Sequence, residues 1–147
     1  MLEERPKIYS LPTTGEYQEE RRIVEARGEL AQIGGGQAFQ YLVYWDIQPL
    51  AGAFRGQHYH LKKEESMYIL RCSVQALFED IDTQERQEHI LEEGTRVIIL
   101  PRLAHKFVPL EFVQVIEFSP QPFDPSDAYP YPLCVADEIG GLPPYLG

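Results

Sequence analysis

Nowhere in the 147 residues does an apolar run approach the roughly 20 residues that a membrane-spanning helix requires, so no membrane partner is expected. The opening MLEERPKIYS lacks the apolar stretch of an export signal, which points to the cytoplasm. Only two cysteines are present, Cys72 and Cys134. They fit neither a metal-ligand spacing nor a disulfide framework, and two reduced thiols are expected. Basic residues are scarce, 13 Lys and Arg against 23 Asp and Glu, and the net charge of −10 argues against nucleic acid, whose phosphates need clustered cations. No Lys or Arg lies beyond Lys106. The mid-chain cations Arg55, Lys62, Lys63, Arg71, Arg96, Arg102 and Lys106 are therefore expected to form a locally basic mouth suited to a small anionic substrate.

Helical periodicity is also nearly missing. Only IVEARGEL (23–30) has helical character, and Gly28 works against it. What the chain does have is aromatic and β-branched residues in short runs. Nine tyrosines and seven phenylalanines suit the pleated, half-buried surface of a sheet. The segments AFQYLVYWDI (38–47), MYILR (67–71), SVQALFED (73–80), RQEHIL (86–91), RVIILP (96–101) and FVQVIEF (112–118) read as strands, several of them separated by acidic and polar turns. Strands this short and regularly spaced indicate an all-β sandwich or barrel of one domain. Three regions follow: a polar arm over 1–22, the β domain over 23–120 and a proline-rich tail over 121–147. From Ser119 onward the chain holds seven prolines with Phe123, Tyr129, Tyr131 and Tyr145 among them, so this end is expected to pack on the β domain or on a second subunit.

Three of the four histidines fall into one pattern. His58 and His60 are two apart, so on a strand they share a face. Glu64 and Glu65 follow, and His105 comes after a strand ending at Pro101. Three imidazoles and a carboxylate form a donor set of borderline softness, suited to one divalent zinc, iron, manganese or nickel ion. His89, in a polar strand, is expected to be solvent-exposed and no ligand.

These residues resemble the cupin superfamily, whose two motifs are G-x5-H-x-H-x(3,4)-E-x6-G and G-x5-P-x-G-x2-H-x3-N. Gly52, His58, His60 and Glu65 match the first, and Gly94, Pro101 and His105 follow the second loosely. Cys72 stands where the first motif ends in glycine, PRLAH (101–105) is one residue short and lacks the motif's glycine, and Pro109 replaces the asparagine. The resemblance implies a double-stranded β-helix, a jelly-roll barrel. RGQHYHLKKEE (55–65) is further similar to the RGxHxH segment of cupins acting on nucleotide-linked deoxysugars, the dTDP-4-keto-6-deoxyglucose 3,4-ketoisomerases and the cupin of capsular-polysaccharide reductase/epimerase. RGEL (27–30) and LPRLAHKFVPLE (100–111) resemble segments of the same group, the latter of its 3,5-epimerases.

The resemblance implies an isomerase or epimerase that removes a proton next to a sugar ketone and stabilises the enolate. Its catalytic residues would be His58, His60, His105 and Arg55, whose planar fork suits a diphosphate or a carbonyl. The ketoisomerase pattern works without metal and has glutamine at position 65, whereas the metal-bearing epimerase domain has glutamate there. Glu65 thus favours metal assistance through His58, His60, Glu65 and His105, with metal-free operation as the alternative. Another metal-dependent cupin enzyme, a dioxygenase or small-acid isomerase, and a non-catalytic cupin that binds a small anion are the competing readings. Tyr41, Tyr44 and Tyr68 are expected in the core, with proton donor on the opposite sugar face as the alternative for one of them; Trp45 is expected in the core, and GGG (34–36) as a turn. A homodimer is expected, with the arm and tail as elements that pack across a two-fold axis.

Overall fold

The computed structural model describes residues 5–134. Within them the chain forms strands β1 (Lys7–Ser10), β2 (Arg21–Glu25), β3 (Gly28–Gln32), β4 (Tyr41–Ile47), β5 (Arg55–Tyr59) and β6 (Glu65–Arg71). Strands β7 (Val74–Asp80), β8 (Arg86–Leu91), β9 (Thr95–Ile99), β10 (Leu103–Pro109), β11 (Val113–Ser119) and β12 (Tyr129–Pro130) follow. No helix occurs among the described residues, and none is therefore long and apolar enough to cross a membrane.

From β4 onward the chain crosses repeatedly between two antiparallel sheets, ordered β1-β9-β6-β11-β4 and β12-β5-β10-β7-β8. This alternation makes a jelly roll, and it leaves the inner faces of both sheets to build one core. Period-two patterning fills that core: Val74, Ala76 and Phe78 from β7 meet Val113 and Val115 from β11 and Met67 and Ile69 from β6. The outer face of the second sheet is buried too. Leu77 of β7 and Ala104 of β10 pack against Leu133 of the tail, flanked by Tyr59 and Tyr131. Lys106, itself buried, donates to the Leu133 carbonyl at 2.8 Å and lies over the Phe54 ring. The tail up to Cys134 therefore lies on its own barrel, while Pro143, Pro144 and Tyr145 are outside the described residues. Cys72 and Cys134 are both free.

One sequence expectation is corrected. Residues 23–30 are not helical but belong to the β2–β3 hairpin, where Gly28 closes the turn at φ 138°, a conformation L side chains rarely adopt. Within the arm, Lys7–Ser10 is a regular strand that adds to the edge of β9 in register from Lys7↔Ile98 to Ser10↔Thr95. The strand carrying His105 was also not legible. Leu103–Pro109 runs between β5 and β7, where its apolar positions are buried on both faces and show no alternation.

Candidate functional site

β5 and β10 bring the histidines together. His58 lies directly opposite His105, and a bulge between His105 and Lys106 shifts the register so that Lys106 then faces Gly56. The His58 ring stands edge-on to both other imidazoles, with centroids 4.7 Å from His60 and 4.9 Å from His105. Glu65, the first residue of β6, enters from the opposite sheet. Its Oε1 lies 3.0 Å from Nε2 of His60 and 3.0 Å from Nε2 of His105. Ligand atoms of His58, His60, Glu65 and His105 all fall within 4.8 Å of one another. The shortened PRLAH turn does not divert His105. Arg102 takes the left-handed conformation at φ 71°, is gripped by Asp82 through two bonds, and donates its backbone N–H to the His60 carbonyl at 2.7 Å.

The ring tautomers follow from the partners. Nδ1 of His105 faces the Leu103 carbonyl, and Nδ1 of His60 faces the Asp127 carbonyl. A carbonyl only accepts, so both Nδ1 atoms carry hydrogen, and each ring in its neutral form turns an Nε2 lone pair toward Glu65. The 3.0 Å separations lack hydrogen-bond angles, so Nε2 of both rings and Oε1 of Glu65 are buried without a bonding partner among the described residues. Three lone pairs converging in a buried space repel unless a proton or a cation lies between them. The donor set and its orphaned atoms fit a divalent cation.

Electrostatics divide the histidines. Burial, reinforced by His105, pushes the His58 pKa down to about 3, so its ring is neutral. Burial also opposes charge on His60, but Glu65 and the Asp127 carbonyl outweigh it and raise its pKa. Glu65 is held well below the ordinary carboxylate range: burial opposes its charge, and attraction to His105 with contacts from both rings wins.

The four residues line a cavity of about 430 Å³ that also meets Arg55, Lys63, Glu117, Tyr41, Trp45 and Phe123. Arg55 is exposed at this cavity and donates to the Asp46 carbonyl at 2.9 Å. Glu117 accepts from Trp45 Nε1 at 3.1 Å and from Lys63 at 3.0 Å. Burial and the neighbouring Glu65 raise its pKa to about 7, against the pull of Lys63.

The expected basic mouth is only partly there. Of its seven cations, Arg55 and Lys63 reach the cavity, and Glu65, Glu117 and Asp124 share the lining. Arg96 is buried on Glu20, Arg102 is bound to Asp82, and Lys106 is turned to the tail. The count of cations carried no information on which face each would take. Tyr41 and Trp45 line the cavity in place of a purely core role, Tyr44 is exposed against Asp46, and Tyr68 is buried with its hydroxyl on Glu29. His89 is half-buried against Phe78, bonded to Gln87 and outside the cluster. Asp127 and Glu117 were missed altogether, since a lone acidic residue in a tail or strand gives no sequence signal of an inward position.

No protein-family model matches the chain, and no curated protein matches its sequence. Solved structures do match. A 3,4-ketoisomerase from Thermoanaerobacterium thermosaccharolyticum in complex with TDP-4-keto-6-deoxyglucose superposes with TM-score 0.68 at 16% identity, over 84% of this chain and 86% of that one. A TDP-fucose 3,4-ketoisomerase from Campylobacter jejuni gives 0.64 at 16% identity, over 84% and 87%. The dTDP-6-deoxy-D-glucose 3,5-epimerase of Legionella pneumophila, in complex with dTDP-4-keto-L-rhamnose, gives 0.63 at 17% identity, over 84% and 77%. The fold is thus a cupin barrel. The ketoisomerases and the epimerase named here share this barrel.

Proposed function

We propose that this chain is a nucleotide-sugar isomerase or epimerase that moves a proton on a carbon next to a sugar ketone. The carrying observation is the neutral His58 ring, placed in the cavity against His60, His105 and Glu65 on the barrel that such enzymes use. No described residue hydrogen-bonds the His58 ring, so it can face the reacting carbon as the base, its proton affinity, low in the free protein, being raised by the negative charge of the enolate that forms beside it. Arg55, at the same cavity, offers N–H donors to the diphosphate or the developing enolate oxygen. Tyr41 and Trp45 form aromatic walls of the same cavity.

His60, Glu65 and His105 would hold a divalent cation, which leaves His58 as the base. Such an ion supplies Lewis-acid polarisation of the ketone oxygen. Incubation with TDP-4-keto-6-deoxyglucose in deuterated water tests the reading. Deuterium should appear on a carbon flanking the ketone, at a rate lost in His58→Gln. A sugar recovered without label at full enzyme loading would overturn it.

A second reading rests on the three unbonded atoms of His60, Glu65 and His105: another metal-dependent cupin enzyme, a dioxygenase or small-acid isomerase. Oxygen uptake by the Fe(II)-loaded protein with a small acid or diketone, without sugar exchange, would favour the dioxygenase. The chain is further proposed to be a homodimer, because edge strand β4 exposes Leu42 and Tyr44 on its outer surface. A monomer mass in sedimentation at micromolar concentration would contradict this.

A further inference from the structure

The tail contributes more than a cover for the barrel. One residue in it, Asp127, makes four contacts with the segment that carries His60. Its carboxylate accepts the backbone N–H groups of Leu61 at 2.8 Å, of Lys62 at 3.1 Å and of Lys63 at 3.1 Å. Its carbonyl accepts Nδ1–H of His60. Asp127 is 5% exposed, and a turn bond from its own N–H to the Asp124 carbonyl fixes its backbone. The same stretch is pinned on both sides: Phe123 stacks on Tyr41 and Tyr129 stacks on Tyr59.

His60 follows directly on β5, and the carbonyl that its Nδ1 meets belongs to Asp127 in the tail, unlike that of His105, which uses the carbonyl of Leu103 two residues away. The direction of the His60 ring therefore comes from the tail. We infer that Asp127 is the positioning residue of the site: its carboxylate locks the Leu61–Lys63 backbone, and its carbonyl holds His60 in the Nδ1–H tautomer with Nε2 aimed at Glu65. The same lock carries Lys63, so that its ammonium reaches Glu117. The tail is thus part of the working site. This assignment rests on the proposed site chemistry only for its effect on turnover, since the tautomer itself is a property of the free protein.

Carbonyl partners of this kind orient active imidazoles, and their loss typically costs about 10- to 100-fold in metal affinity or activity. The test is long-range ¹H–¹⁵N NMR of the histidine rings in the full chain without substrate, on Asp127→Ala and Asp127→Asn. The wild type should show His60 protonated at Nδ1. Asp127→Ala keeps the residue-127 carbonyl but loses the three bonds that hold it over the Leu61–Lys63 backbone, so the carbonyl is no longer fixed opposite Nδ1; the variant should give a mixture of tautomers at His60 while His105 stays unchanged, with exchange of label into the sugar reduced at least 10-fold. Asp127→Asn keeps an acceptor for Lys62 and Lys63 or for Leu61 and should fall between the two. If the alanine variant does not fold, the asparagine variant decides by the same spectrum. A lowered melting temperature with the His60 tautomer unaltered would make Asp127 a purely structural residue and overturn the assignment. Failure of the wild type to act on a nucleotide sugar would overturn the proposed reaction and leave this spectrum to decide the role of Asp127.

Discussion

Gly56 lies against the backbone of His105, where a Cβ added to it would sit 2.8 Å from the His105 carbonyl oxygen. Its φ of 86° adds a second reason for glycine, since L side chains avoid that region. The glycine of the RGxHxH segment is therefore what lets β5 approach β10 at the bulge that sets His58 opposite His105. Gly56→Ala should cost about 2 kcal/mol or more, from clash and strain together. Urea denaturation of the two proteins measures the difference, and a stability within a few tenths of a kcal/mol of wild type would mean the close approach is not needed.

Much of this arrangement was legible because it is local. Alternation in SVQALFED and FVQVIEF gave the strands, and the two-residue spacing of His58 and His60 gave their common face. The departures from the cupin motifs are explained by backbone angles the sequence does not display. Cys72 occupies the left-handed region at φ 61°, which is where the motif's glycine would be unstrained, and Arg102 does so at φ 71° in the shortened turn. The illegible part is non-local. Asp127 meets His60 across 67 residues, and Glu117 meets Lys63 across 54, with no period or spacing linking them. Strand β10 hid for another reason: sandwiched between two strands and covered on both faces, it shows no alternation to read.

The tail should contribute measurably to stability through Leu133, which is 2% exposed and packs on Leu77 and Ala104. Leu133→Ala removes most of that side chain from a closed contact and should cost about 2–4 kcal/mol. The bond from Lys106 to the Leu133 carbonyl is a backbone contact and survives the substitution. Thermal unfolding gives the readout. An unchanged melting temperature would show that the tail leaves the barrel in solution.

In the metal-free protein, His58 and His60 should titrate on opposite sides of 6.5. His58 is shifted from 6.5 to about 3 by burial and by His105, whereas His60 is shifted upward. Between pH 6.5 and 3 the unfolded chain binds a proton at position 58 that the folded chain refuses. The stability contributed by the neutral ring is thus complete above 6.5 and lost as pH falls toward 3. For His60 the sign reverses: its contribution is complete below 6.5 and is lost as pH rises through its folded value. Ring-proton NMR across pH 3–8 separates the two, with His58→Gln assigning its own signal and flattening the acid limb. A His58 signal that moves near pH 6.5 would show that the ring is far more hydrated than its place in the cavity indicates.

The convergence on Glu65 makes the most demanding prediction. With both Nδ1 atoms donating to carbonyls, Nε2 of His60, Nε2 of His105 and Oε1 of Glu65 are directed at one buried point, where a cation would take the lone pairs of the neutral rings. A divalent ion added to the chelated protein should therefore raise its melting temperature, by an amount equivalent to about 2.7 kcal/mol at a hundredfold excess over Kd. Glu65→Gln keeps the side-chain volume but exchanges one carboxylate oxygen for an amide that cannot ligate, and should abolish most of the shift. Glu64→Ala is the control. Glu64 is one residue out of phase, and its contact with the tail is a backbone bond to Gln121 at 2.9 Å that alanine retains. The Glu64 variant should respond to metal as the wild type does. Loss of the shift in Glu64→Ala with its retention in Glu65→Gln would place the carboxylate ligand one residue earlier. If zinc, manganese, nickel and ferrous iron all leave the wild-type melting temperature unmoved, the cluster is held together by a proton, and His58, His60 and His105 work as free imidazoles.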